Sequence, residues 1–324
     1  MNKYYIISIF VSISSLLISN NNLDELTDRA VLKNPYKVQT ILKKQGFKKV
    51  HFTTQDNIKL CGLFLDKSKQ TKIKGTIIFQ AGFYPGTKEG IATFYALLSN
   101  QPYNFLFFDA RGHNESSGTF LTYKNIKQYG QCEYLDIIAA LDFVEQYNSK
   151  HAINPSIILH GICSGAFHSV KAYSKYAHRD NIKGIIFDSG WNKLVEIVEP
   201  TMHAKLYDSL KHGFFLFLEK PLKSFFSYIY RLFFKQQHTL VPDLDADIKS
   251  VSCPIFFIHS IQDSYAPIQP AQNLAQQAKH PTTWWINSNN HATCHLQQPA
   301  EYAEKIKSFC FNAFGQPPLT LQTV

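Results

Sequence analysis

The chain has 324 residues, enough for two average domains or for one large α/β domain burying more than ~70% of its unfolded surface. At 45% hydrophobic and 18% charged residues it is too apolar for a disordered chain and too poor in charge for a coiled coil. Thirty-three Lys and Arg against 24 Asp and Glu leave a net charge of +9, yet the basic residues are scattered. Scattered charge describes solvated faces and gives nucleic-acid binding no support.

The first 19 residues, MNKYYIISIFVSISSLLIS, place Lys3 ahead of a short apolar run, and Asn20, Asn21 and Asn22 follow. That layout predicts a secretory signal, with an uncleaved membrane anchor or a buried helix as alternatives. The run is short for a span, which needs ~20 apolar residues. The expected location is therefore exported or membrane-associated, with a cytoplasmic chain as the alternative. Six cysteines at 61, 132, 163, 253, 294 and 310 contain no C-x-x-C pair, so neither a zinc ribbon nor a dithiol redox site is written here. Disulfides are permitted in an exported chain, but a core of this size does not require them.

From about residue 47 extended and helical patterns alternate. KKVHFTT and IKLCGLFL flank Gln55-Asp56-Asn57 and predict an opening hairpin. The apolar runs GTIIFQA (75–81), NFLFFDA (104–110), SIILHGI (156–162), IKGIIFD (182–188) and PIFFIHS (254–260) predict buried strands, and TTWWINS (282–288) a further one. Helical spacing falls between them, in GIATFYALLSN, in 131–147, from Cys163 to about His178, in PAQNLAQQAK and in 299–314. This rhythm predicts an α/β fold with a mostly parallel central sheet and helices on both faces, its functional groups on loops beyond the carboxyl ends of strands.

The rhythm breaks at a Phe-rich stretch. The expected division is residues 1–19 as signal or anchor, 20–191 and 254–324 as the core, and 192–253 as a helical cap insertion. Phe214, Phe215, Phe217, Phe225, Phe226 and Phe233 could line an acyl-chain site there, or form the cap's own core.

Three strand ends carry chemistry. In IILHGICSGAFHSV a strand runs straight into G-x-C-x-G and a helix. A nucleophile on such a sharp turn needs small residues two before and two after it. Gly161 and Gly165 meet that need around Cys163, whereas centring on Ser164 would put Ile162 and Ala166 there. The helix N-terminus also favours thiolate over thiol. Asp263 follows the strand PIFFIHS, where a carboxylate could orient an imidazole, and Asp188 at the end of IIFD is its rival. His291 follows TTWWINS and could relay a proton, with His295 nearby as the rival. His291, Cys294 and His295 in one short loop have no matching ligands elsewhere, so no metal is expected.

Nucleophile, acid and base run in the order 163, 263, 291, each just after a predicted strand. That is the triad order of the α/β-hydrolases. From about residue 40 to 314 the chain resembles that family, nearest its lysophospholipase/serine-aminopeptidase-like branch. FQAGF (79–83) stands where the family has its oxyanion turn, and DARGHNESSG (109–118) is similar to its D-x-R-G-H-G-x-S-x-G loop. YGQCEYLDIIAALDFV resembles the G-x-x-E-x-x-D helix, and the spacing from His291 to Pro299 and Tyr302 favours His291 over His295. Cys163 replaces the usual Ser, as in dienelactone hydrolases. Gln80-Ala81 replace an aromatic/His pair, and Asn114 replaces a Gly whose positive φ Asn tolerates.

The resemblance implies backbone N–H donors from Phe83 and Ser164 for an oxyanion, and structural roles for Asp109, Arg111 and His113. It implies a hydrolase of ester, thioester or amide bonds in a lipophilic acyl substrate, working through a Cys163–His291–Asp263 acyl-enzyme. An acyltransferase with the same triad and a non-catalytic, membrane-associated relative are the alternatives. The expected partner is a small-molecule or lipid acyl substrate, with peripheral membrane contact through residues 1–19 or the cap. No phosphate-binding glycine motif occurs, so no cofactor is expected.

Overall fold

The computed structural model describes residues 23, 25–27, 34–83, 86–119, 131–194, 196, 197, 200 and 243–315. Residues 1–19 and the cap phenylalanines Phe214, Phe215, Phe217, Phe225, Phe226 and Phe233 lie outside these. Among the described residues no helix is long and apolar enough to cross a membrane.

The first long element is one the apolar spacing did not announce, helix α1 (Pro35–Lys44). Its start is nonetheless written locally. The Asn34 side chain accepts the Lys37 N–H at 3.1 Å, and Pro35 sits at the first helical position, where its missing N–H costs nothing. Strands β1 (Lys48–Thr53) and β2 (Lys59–Leu65) then form the expected hairpin, with Asn57 at positive φ in the turn. β3 (Gly75–Gln80), α2 (Thr93–Leu98), β4 (Tyr103–Phe108), α3 (Tyr134–Lys150), β5 (Ile157–Ile162), α4 (Ser164–Lys175) and β6 (Ile182–Asp188) follow. Beyond the Phe-rich stretch come α5 (Asp247–Ser250), β7 (Ile255–Ser260), α6 (Ile268–Gln277), β8 (Pro281–Ile286), α7 (Cys294–Gln297) and α8 (Pro299–Ala313).

The strands form one eight-stranded sheet in the order β1-β2-β4-β3-β5-β6-β7-β8. β2 runs antiparallel to both β1 and β4, and every other pair is parallel. Successive side chains divide between two cores, as the strand period of two requires. Ile78, Ile157 and Leu159 face the layer of α3, α4 and α6, while Ile77, Phe79 and Ile158 face α1, α2 and α8. Leu244, Ile248 and Val251, within the stretch read as cap, are fully buried in the first of these cores.

Register decides where the site can be. Gln80 pairs with Gly161, Ile162 with Asp188, Asp188 with Ile258, and Ser260 with Ile286. The carboxyl ends of β3, β5, β6, β7 and β8 therefore finish along one rim. The loop after β4 is tied beneath that rim by ions. Lys88, fully buried, holds Asp109 at 2.6 Å, Glu115 at 3.0 Å and Glu89 at 3.2 Å. Arg111 donates from its backbone N–H and its Nε to Asp136 of α3, both at 2.8 Å. Asn114 takes φ 44° in this loop, so the turn survives the loss of glycine. These contacts match the structural roles expected for Asp109 and Arg111.

Candidate active site

The turn from β5 into α4 is centred on Cys163, at φ 55° and ψ −117°. Side chains rarely adopt that conformation, and Cys163 is half-buried there, directly after the carboxyl end of β5. The glycines make the turn close enough. A Cβ on Gly161 would stand 2.2 Å from the Gly165 carbonyl oxygen, and one on Gly165 would stand 2.3 Å from that of Gln80. The second contact holds the elbow directly against the end of β3, so the loop after β3 comes beside Cys163.

His291 and Asp263 arrive from the neighbouring strand ends. The His291 Nδ1–H donates to Asp263 Oδ2 at 2.7 Å, and Asp263 Oδ1 accepts the Tyr265 and Ala266 N–H groups at 2.9 Å each. The His291 ring also interacts electrostatically with the Cys163 thiol. Cys163, His291 and Asp263 are thus brought together from three loops, with His291 hydrogen-bonded to Asp263 and interacting with Cys163.

The charges on this chain reinforce one another. Burial pushes the Cys163 thiol up, but the positive charge of His291 beside it works the other way, and the thiol titrates below its ordinary 9.0. Burial likewise opposes a charged His291, but the Cys163 thiolate and the Asp263 carboxylate hold the ring well above its ordinary 6.5. Asp263 stays below the usual carboxylate range because its His291 and Ala266 hydrogen bonds outweigh its burial. Each shift favours the charged form of its group.

The remaining candidates separate. His295 is buried against Phe94, with ring centroids 4.4 Å apart, and lies off the relay. Asp188 is buried beneath the rim, accepting hydrogen bonds from Tyr302 and Ser189, while Asp263 holds the His291 ring. Cys294 faces Ser260, so His291, Cys294 and His295 do not gather as ligands. Among the described residues the one gathering of ligand-type atoms is Cys61, Asp109 and Glu115, where the Lys88 ammonium already binds both carboxylates. Phe83 and Ser164 line a cleft beside the elbow, together with Gly82, Arg111, His113 and His168. His113 Nε2 lies 3.1 Å from the Phe83 carbonyl oxygen and so steadies the turn after β3.

Two contributors were not read from the sequence. His259, inside β7, donates from Nε2 to the Ala266 carbonyl at 2.8 Å and pins the Asp263 loop. A lone His in the apolar run IFFIHS was the available signal, since a buried polar group needs a partner. Trp191 stacks on Phe167 at 4.7 Å and on Phe83 at 6.2 Å, bridging the elbow helix and the turn after β3. Nothing local to DSGWN announces that.

The Alpha/beta hydrolase family matches residues 81–305 of this chain. The chain belongs to that family and is by class a hydrolase. Among solved structures it is similar to the Pyrococcus furiosus esterase Pf2001, at TM-score 0.62 and 21% identity over 83% of this chain and 93% of that one. It is also similar to the proline iminopeptidase of Mycobacterium smegmatis, at TM-score 0.57 and 13% identity over 82% and 99% of the two chains. A bacterial membrane phospholipase A, described as a virulence factor, aligns at TM-score 0.58 and 12% identity over 97% of this chain and 100% of that one. At such identities the likeness is one of fold. No curated protein sequence matches the chain significantly.

Proposed function

We propose that the protein hydrolyses carboxylic esters or thioesters of an apolar acyl group, with Cys163 as nucleophile, His291 as proton carrier and Asp263 as its orienting carboxylate. The observation that carries this reading is the His291–Asp263 hydrogen bond, with the His291 ring interacting with Cys163, which sits on a strained turn at the sheet rim. The thiolate attacks the acyl carbon, and the backbone N–H groups of Phe83 and Ser164 receive the oxyanion. Each such donor is worth roughly 3–4 kcal/mol. The intermediate collapses, and the His291 imidazolium protonates the departing alcohol or thiol. Neutral His291 then takes a proton from water as the hydroxyl attacks the Cys163 thioester. Collapse releases the acid and restores the thiolate–imidazolium pair.

A cysteine nucleophile narrows the substrate. From the first intermediate the Cys163 thiolate is itself a good leaving group, so an unactivated alkoxide competes poorly against it. Thioesters and activated esters leave on more equal terms. Support for an apolar acyl group comes from the Phe-rich sequence between β6 and β7, in particular Phe214, Phe215, Phe217, Phe225, Phe226 and Phe233. An export signal in residues 1–19 would place this activity outside the cytoplasm or at a membrane.

The test is an acyl-chain series of p-nitrophenyl esters and matching thioesters, run on wild type and Cys163→Ser. The expected result is a rise in kcat/KM with chain length and at least a ~100-fold loss in Cys163→Ser, because a hydroxyl cannot hold the anion the site is built around. Equal activity in wild type and Cys163→Ser, or none with any ester or thioester, would contradict the proposal.

A further inference from the structure

Asp188 and Ser189 lie at the rim without touching the reacting atoms, yet their hydrogen bonds lead to the catalytic loop. The Ser189 Oγ donates to Asp188 Oδ1 at 2.8 Å and accepts the Ala292 N–H at 3.2 Å. Ala292 is the residue after His291. Asp188 Oδ2 in turn accepts the Tyr302 hydroxyl at 2.7 Å, and the His160 Nε2–H donates to the same Tyr302 oxygen at 3.1 Å. The backbone around this pair is fastened to the sheet on both sides. The Cys163 N–H donates to the Asp188 carbonyl and the Ser189 N–H to the Ile258 carbonyl, each at 2.8 Å.

Backbone strain converges on the same spot. Ser189 and Ala292 adopt φ 54° and 53°, beside Cys163 at 55°, in three different loops. Strain of that kind persists only where surrounding contacts over-determine it. A ring hydrogen bond to Asp263 fixes the direction of the His291 side chain but leaves its backbone free to shift. The Ser189–Ala292 bond removes that freedom.

Resting on the triad reading above, we propose that Asp188 and Ser189 are positioning residues. Their carboxylate–hydroxyl pair anchors the backbone after His291 to β6, so that the imidazole stays on the Cys163 sulfur. The groups facing the Asp188 carboxyl are the hydroxyls of Ser189 and Tyr302, the His291 ring, the Asp263 carboxylate and the Cys294 thiol. Burial pushes the Asp188 carboxyl up to about 6, against the hydrogen bonds from Tyr302 and Ser189.

Ser189→Gly and Ser189→Ala delete the hydroxyl, and glycine accepts the positive φ without strain, so folding is retained in the first. Both are expected to lower kcat about tenfold with KM within about twofold, as loss of positioning does. Asp188→Asn, whose amide oxygen still accepts from Ser189, loses less. The far-downfield proton resonance of the His291 Nδ1–H, sharp in wild type, is expected to broaden or move upfield in both Ser189 variants. An unchanged resonance with kcat within about twofold of wild type overturns the proposal. So does a loss in Ser189→Ala that Ser189→Gly restores, since that traces it to strain and not to the hydroxyl. The resonance needs no substrate. A wild type that turns over no ester refutes the proposed hydrolysis, while the resonance still decides the anchoring role.

Discussion

Cys163 is pulled in two directions by its surroundings. An apolar, close-packed turn favours the neutral thiol, while the His291 ring and the N–H donors favour the anion, and the donors win. The consequence is a reactivity that survives below the ordinary thiol pKa. Iodoacetamide is expected to alkylate wild-type Cys163 at a rate that stays level as pH falls below 9.0, and then drops once pH passes the lowered value. In His291→Ala only burial and the weaker donors remain, so the thiol pKa rises. Labelling at pH 7 should then be at least about tenfold slower. Equal labelling rates in the two proteins at pH 7 would show that no imidazolium supports the thiolate. Cys294 and Cys310 serve as internal controls, because burial pushes both thiols up.

At the scale of elements, the β5–α4 turn stores strain at φ 55° that any side chain must bear. Cys163→Gly should therefore be more stable than Cys163→Ala by about 1 kcal/mol in urea unfolding, although both lack the thiol. Equal stability would mean the turn is unstrained. This element was legible in the sequence because its demands are local: an apolar strand, two glycines and a helix within nine residues. Helix α1 was equally local, through Asn34 and Pro35, but its three buried residues Val38, Ile41 and Leu42 make a thin apolar stripe. The anchoring pair Asp188–Ser189 was only half visible. Asp188 stood out as an acid at a strand end, yet what it holds depends on where α8 brings Tyr302.

For the molecule as a whole, the alternation of apolar runs and helical spacing was enough to foresee a parallel sheet with both faces covered. The strand order was not foreseeable from those runs, because pairing such as β3 between β4 and β5 is decided by tertiary packing. Cys163, Asp263 and His291 could be named because each follows a strand, and parallel strands finish at one rim. Trp191 and Ser189 could not, because the partners that matter, Phe83 and Ala292, are distant in sequence and local only in space. The same holds for the ionic cluster that fixes the 109–119 loop. Lys88→Met leaves the buried Asp109 and Glu89 without their cation and is expected to destabilise the fold by roughly 3–5 kcal/mol. A loss below about 1 kcal/mol by urea unfolding would mean water already screens that cluster.

The central claim is that acyl groups pass through the sulfur of Cys163, and trapping that intermediate tests it most directly. Wild-type protein is mixed with a p-nitrophenyl ester, quenched in acid and mapped by peptide mass spectrometry. The acyl mass is expected on the peptide carrying Cys163, accumulating further in His291→Ala and absent from Cys163→Ala. Turnover without acylation of that peptide, or an acyl group carried by Ser164 instead, would contradict the account.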